Sequence, residues 1–331
     1  MKTSSSTRRG IDSALETTVV ASWSRLGFAT RRRLWSWNDD VRPPMDGRVV
    51  LVTGGTSGIG RAVAVALARA GATVGLVGRN EVRVSRAVAD VGTEAESTRV
   101  FGQAADLGSL SSVRALAAGM AQRTDRLDAV VHAAGVLNRE LTMTDDGLEE
   151  TAAVHVVGPY LLTCLLEPLL RRAAPARVVW VSSGGMYTRR LDVDRLDQPP
   201  TPYRGATVYA EAKRAQVALA RQWDQRWPGA GVSSYAMHPG WVDTNALRTG
   251  LPVFATVLGP VLRRADQGAD TAVWLAGGGA GADAPATFWL DRRARPDHRW
   301  PGPPDPPGES ARLWEWCRRR AGLDEPVGGD R

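Results

Sequence analysis

The chain has 331 residues, 43% of them hydrophobic, and a formal net charge of +7. That length and apolar content exclude a disordered or fibrous chain and allow one large or two small cores. The arginines are spread among acidic residues through most of the chain, so the positive balance does not by itself make a nucleic-acid binder. Two cysteines, Cys164 and Cys317, stand far apart and offer neither a disulfide framework nor metal-ligand spacing, so no metal site and a reducing compartment are expected. No uninterrupted apolar run approaches the roughly 18 residues that span a bilayer. The Arg8, Arg9 pair is followed by Asp12, Glu16 and Arg25 rather than by the apolar core of an export signal, and a cytoplasmic protein is expected.

In chain order, residues 1–46 form an extension rich in Ser, Arg and Trp that ends in the turn-forming "VRPPMDG". Val19, Trp23, Leu26, Leu34 and Trp37 fall near one helical face, with Arg25, Arg31, Arg32 and Arg33 largely to its sides. Residues 15–37 therefore suit peripheral membrane contact, packing on the domain or on a second subunit of a homo-oligomer, or a disordered arm. Residues 47–295 alternate apolar runs with Ala-rich helical segments such as 60–71 and 110–123. The runs at 48–53, 72–78, 98–103, 127–133, 177–182, 231–237 and 286–290 read as strands buried on both faces. Their alternation predicts an α/β fold, a doubly wound parallel sheet of the Rossmann-like kind, as a single domain. Residues 296–331 are a Pro-rich tail containing one short helix, "ESARLWEWCRRR", and only the middle part looks like a complete core.

The first strand runs into "TGGTSGIG", residues 53–60. Gly54 permits a tight turn, Gly58 lets the backbone approach a pyrophosphate, and Gly60 lets the next helix pack on the strand, with Thr56, Ser57 and Ile59 completing the loop. Arg79 ends the second strand, where a carboxylate would bind a ribose 2′-hydroxyl; an arginine there favours NADP over NAD. Arg61 either assists or is a solvated surface residue. Asp106, with Leu107 beside it, either caps the following helix or meets the adenine amino group.

Lys213 is one of two lysines in an arginine-rich chain and follows Tyr209 by one helical turn. Lowering a phenol from a pKa near 10 to about 7 takes roughly 4 kcal/mol of phenolate stabilisation, and a nearby ammonium together with an oxidised nicotinamide would supply it. Ser183, just past the fifth strand, is placed to hydrogen-bond a carbonyl while Tyr209 delivers a proton.

"TGGTSGIG", "HAAG" (132–135), "VSSGG", "YAEAK" and "HPGWVDT" (238–244) together resemble the short-chain dehydrogenase/reductase superfamily over about residues 46–292. "VYAEAKRAQ", "MHPGWVDT" and "ADQGADTAVWLA" are similar, more narrowly, to its dehydrogenase/reductase member 12 branch. The resemblance implies an NADP-linked oxidoreductase with Ser183, Tyr209 and Lys213 at its catalytic centre. It also implies that Ala133, Ala134 and Gly135 approach the cofactor, and that Pro239, Gly240, Val242 and Thr244 lie beside the nicotinamide. Two positions depart from the pattern: His132 stands where the family usually has Asn, and His155 stands where its helix usually carries an Asn that helps hold a water next to the lysine. The His155 ring would preserve a proton relay with a shifted pH profile, or weaken catalysis. His238 is read as structural.

Between Ser183 and Tyr209 lie 25 residues which, with 241–262, are expected to rim the substrate cleft. Leu247, Leu251, Val253 and Phe254 point to a hydrophobic carbonyl or alcohol substrate, or to a lid packed on its own protein. The competing reading is a catalytically weakened nucleotide-binding protein that acts as a binding or scaffold module. A sugar-nucleotide epimerase is disfavoured by the glycine spacing and by the lack of a second substrate domain.

Overall fold

Thr18 and Ser24 take extended dihedrals and divide the N-terminal extension into α1 (Ser5–Thr17), α2 (Val19–Trp23) and α3 (Arg25–Leu34). Ser24 Oγ accepts from the Leu26 and Gly27 N–H groups and so caps α3. A single helical wheel over this stretch therefore mixes separate axes, and the faces come out differently from the sequence expectation. Trp23, Phe28 and Arg31 are buried, while Val19 and Leu26 are exposed. The computed structural model describes residues 5–37, 44–280, 288–299 and 304–323. The first three residues of the expected boundary "VRPPMDG", the first two residues of the expected strand 286–290 and residues 300–303 and 324–331 of the expected tail 296–331 lie outside those residues.

The chain continues as β1 (Val49–Thr53), α4 (Gly58–Arg69), β2 (Thr73–Gly78), α5 (Glu81–Ala95), β3 (Val100–Ala104), α6 (Leu110–Arg123) and β4 (Ala129–His132). Then follow α7 (Glu150–Ala152), a π turn (Ala153–Val157), α8 (Gly158–Arg172), β5 (Ala176–Val181), a 3-10 turn (Gly184–Thr188), α9 (Val193–Asp197), α10 (Gly205–Arg226) and β6 (Val232–Met237). The remainder is α11 (Asn245–Gly250), α12 (Pro252–Leu258), α13 (Ala265–Ala276), β7 (Phe288–Leu290), β8 (Arg293–Arg295) and α14 (Glu309–Arg320).

Valine-rich strands pair in the order β3-β2-β1-β4-β5-β6-β7-β8, parallel except at the last pair. Successive residues alternate between faces, so Val130 and Val178 join the core beneath α6, α8 and α10, whereas Val131 and Val179 join the core beneath α4 and α13. Strand order reverses at β1 and β4, and the crevice outside their carboxyl ends is where this architecture takes its ligands. The segment Glu150–Arg172 is long and apolar enough to cross a membrane, but 83% of its apolar window is buried inside the protein, which makes it a core helix.

Both ends of the chain fold onto the middle. Leu313, Trp316 and Cys317 of α14 belong to the core beneath α10, and Arg214 of α10 holds Asp305 through Nε at 2.9 Å. At the other end, Arg31 bonds Asp12 and Asp291, both at 2.7 Å, and Arg263 grips the same Asp291 at 2.6 and 2.9 Å. Asp291 and Arg292 both have positive φ (53° and 55°) and form the two-residue turn between β7 and β8.

Candidate active site

Ser57, the N-cap of α4, makes no side-chain cap bond, so the first amides of that helix keep their hydrogens for an anion. Gly54 (φ +68°) turns so tightly against its neighbour that a Cβ there would lie 2.7 Å from Ala134 Cα. A Cβ on Gly60 would lie 2.4 Å from the Gly54 carbonyl oxygen, whereas one on Gly58 would meet only Thr244, at 3.6 Å or beyond. The first and third glycines close the loop against protein and the second leaves it open. Those are the features a dinucleotide's phosphates require.

The loop opens on a cavity of about 1330 Å³, and every residue that the sequence assigned to catalysis or to cofactor binding lines it. Arg61 is not among them; it pairs with Glu94 at 2.8 Å. Asp106 Oδ1 accepts the Gly108 N–H at 2.8 Å while Ser109 caps α6, so Asp106 closes a turn at the cavity wall and does not cap the helix. Arg79 is 59% exposed along its side chain and reaches Glu150 at 3.1 Å. Arg83, one helical turn further on, lines the cavity too; the sequence carried that signal in "GRNEVR", with Asn80 capping α5 through the Arg83 N–H at 2.9 Å.

At the far end, Tyr209 and Lys213 share a face of α10, and Ser183 caps the 3-10 turn after β5. Lys213 Nζ donates to the Val181 carbonyl at 2.8 Å and to Gln216 Oε1 at 3.0 Å, and stands 5.4 Å from the centroid of the Tyr209 ring. The lowering expected from the ammonium together with an oxidised nicotinamide is not supplied by the protein's own groups. Burial pushes Tyr209 up to about 12, opposed by its hydrogen bond with Ser183. Burial also brings Lys213 down to about 7, because an ammonium held by one carbonyl and one amide is poorly compensated for lost water.

His155 is pinned to the loop that follows β4. Its Nε2 lies 2.9 Å from the Val136 nitrogen and 3.0 Å from the Val136 oxygen, and burial together with the nearby Lys213 holds the ring well below its ordinary pKa. A neutral ring locked to the loop after β4 does not titrate near neutrality. Its backbone carbonyl accepts Gln216 Nε2–H at 2.9 Å, and Gln216 Oε1 in turn accepts from Lys213.

The substrate side has a wall that the sequence did not disclose. Trp23 of α2 lines the cavity and packs edge-on against Trp241, and a Cβ on Gly184, next to the candidate catalytic Ser183, would fall 2.4 Å from its ring. Leu247, Leu251 and Phe254 line the cavity as expected, but Val253 is 77% exposed and points elsewhere. Leu191, Val193 and Leu196 of the stretch 184–208 are buried, so that part of the expected rim belongs to the core.

A family profile for short chain dehydrogenases matches residues 48–195. The chain is 38% identical to bovine dehydrogenase/reductase SDR family member 12 over 261 residues, covering 78% of this chain and 81% of that protein. It belongs to the short-chain dehydrogenase/reductase family. Human retinol dehydrogenase 13 is 31% identical over 85% of this chain and 86% of its own length. Among solved structures, an uncharacterised protein from Mycobacterium paratuberculosis superimposes with a TM-score of 0.67 at 26% identity, covering 86% of this chain and 97% of that one. The fold, the oxidoreductase class and the likeness to the member 12 branch thus agree with the sequence reading, and a nicotinamide dinucleotide is the cofactor class.

The histidine at 132 gives this short-chain dehydrogenase/reductase an acid weakness. His132 is buried, with Nε2 2.9 Å from Thr163 Oγ1, and burial pushes its pKa down to about 3. An unfolded histidine takes up its proton near pH 6.5. Between the two values the unfolded chain binds more protons, so stability is full above about pH 6.5 and falls as the pH drops, by up to about 1.4 kcal/mol per pH unit. His132→Asn should flatten the loss of denaturation free energy between about pH 6 and pH 4 by that amount. An unchanged slope would mean that the ring is already charged in the fold.

Proposed function

We infer that the chain is an NADP(H)-dependent oxidoreductase that interconverts the carbonyl and alcohol forms of a hydrophobic small molecule. The observation that carries this reading is the convergence of Ser183, Tyr209, Lys213 and the glycine loop on one cavity. The nicotinamide supplies or takes the hydride when bound, and its oxidised ring adds positive charge beside the phenol. Ser183 Oγ, which lines the cavity with Tyr209, orients the substrate oxygen. Tyr209, whose protonated form the protein's own groups favour, gives that oxygen its proton in the direction of reduction. Lys213, fixed by Val181 and Gln216, keeps its remaining N–H on the cavity side for ribose hydroxyls. Trp23, Leu137, Trp241, Leu247, Leu251 and Phe254 form an apolar wall that favours a hydrophobic substrate.

The reading of residues 15–37 that we favour is packing on the catalytic domain, supported by the burial of Trp23, Phe28 and Arg31. For the cofactor, Arg79 and Arg83 together offer forked cations at the mouth near α5, and the exposed pairing of Arg79 with Glu150 is weak enough to exchange for a phosphate. Arg79→Ala should weaken NADPH binding about 10- to 100-fold, the worth of a charge-assisted hydrogen bond, and leave NADH nearly unchanged in a fluorescence titration. Tighter binding of NADH than NADPH by the wild-type protein would refute the NADP assignment.

A further inference from the structure

Pro159 has no N–H. The His155 carbonyl, four residues before it, therefore lacks the amide that an α-helix would give it, and it sits within the π turn Ala153–Val157. Another element meets it instead: Gln216 of α10, fully buried, donates Nε2–H to the His155 oxygen at 2.9 Å. The other end of the same amide, Oε1, accepts from Lys213 Nζ at 3.0 Å. Turning the amide over would set N–H against ammonium and oxygen against oxygen, so only one orientation satisfies both neighbours.

We propose that Gln216 is a positioning residue: it ties Lys213 to the backbone of the π turn and so fixes where the ammonium stands beside Tyr209. The link itself is a property of the protein alone; its consequence for turnover rests on the oxidoreductase reading above. Two of the three ammonium hydrogens are taken by Val181 and Gln216, which leaves one for the cavity. Among the described residues, the titratable groups facing Lys213 are Tyr209 on its own helix and the neutral His155 on the π turn; from the end of β5 come the Val181 carbonyl and the hydroxyls of Ser182 and Ser183. With no carboxylate among them, the Gln216 oxygen is the acceptor whose loss the ammonium would feel most.

The sequence holds only two lysines, Lys2 and Lys213, so lysine-selective 13C labelling of the full chain gives one Cε signal from each. In the wild-type protein Lys213 should titrate near pH 7, and the Gln216 side-chain amide resonances should shift with the same midpoint. Gln216→Leu, which removes the acceptor, should lower the Lys213 midpoint by about one pH unit, tenfold in the proton equilibrium, and Gln216→Glu should raise it by about as much. The pH profile of kcat on an apolar ketone should move in the same direction as the signal, with KM little changed. Shifted midpoints in a protein that turns nothing over, wild type included, would uphold the link and remove the oxidoreductase reading. A midpoint moved by less than about 0.3 unit in whichever variant folds, with Gln216 resonances indifferent to Lys213, would overturn the proposal.

Discussion

Tyr209→Phe should reduce NADPH-dependent turnover on the order of 10²- to 10⁴-fold, the usual contribution of a positioned general acid, while nucleotide affinity stays within about twofold of wild type. The ring remains, so its edge contact with His155 at 5.4 Å and its place above Lys213 are kept. Only the hydroxyl that Ser183 contacts is lost. Initial rates at saturating cofactor, paired with an NADPH titration, separate the two effects. Equal loss of rate and of binding would mean that Tyr209 shapes the nucleotide site and does not deliver the proton.

Asp291→Ala should cost about 3–5 kcal/mol of folding free energy, because it removes the carboxylate that the buried Arg263 guanidinium pairs with and one of the carboxylates around the buried Arg31, which keeps Asp12 and Glu16. Arg31 and Arg263 are each 1% exposed or less, and Asp291 bonds both. The same Arg263 holds the Trp23 and Ser22 carbonyls, both at 3.0 Å, so the substitution should loosen the wall of the cavity as well as the fold. Urea denaturation would show the first effect. The second would show as a rise in KM for bulky apolar substrates beyond any rise for small ones. A loss below about 1 kcal/mol would place the anchoring of α1–α3 elsewhere.

Much of the fold could be read from valine-rich runs and the glycine loop, because parallel strands buried on both faces leave continuous apolar stretches and a phosphate loop needs glycine at fixed places. Ser183, Tyr209 and Lys213 were readable for a related reason: two lie one helical turn apart and the third follows a strand. What escaped the sequence depended on contacts between distant segments. Trp23 reaches the cavity from a helix whose boundaries at Thr18 and Ser24 gave only weak signals. β8 follows a turn of Asp291 and Arg292, without the glycine or asparagine that usually marks such a hairpin. The charge of Arg31 suggested a solvated flank, and only the meeting of Asp12 and Asp291 around it accounts for its burial. The depressed affinity of Lys213 for its proton arises from desolvation, which spacing along a helix does not reveal.

The most direct measurement is of the hydride itself. The wild-type protein would be given NADPH carrying deuterium at one or the other face of the nicotinamide C4, together with a panel of apolar ketones and aldehydes, and the alcohols weighed by mass spectrometry. One deuterium on the new carbinol carbon, from one face of the label only, is the predicted result. Bound NADPH that yields its label to no member of the panel from either face would contradict it.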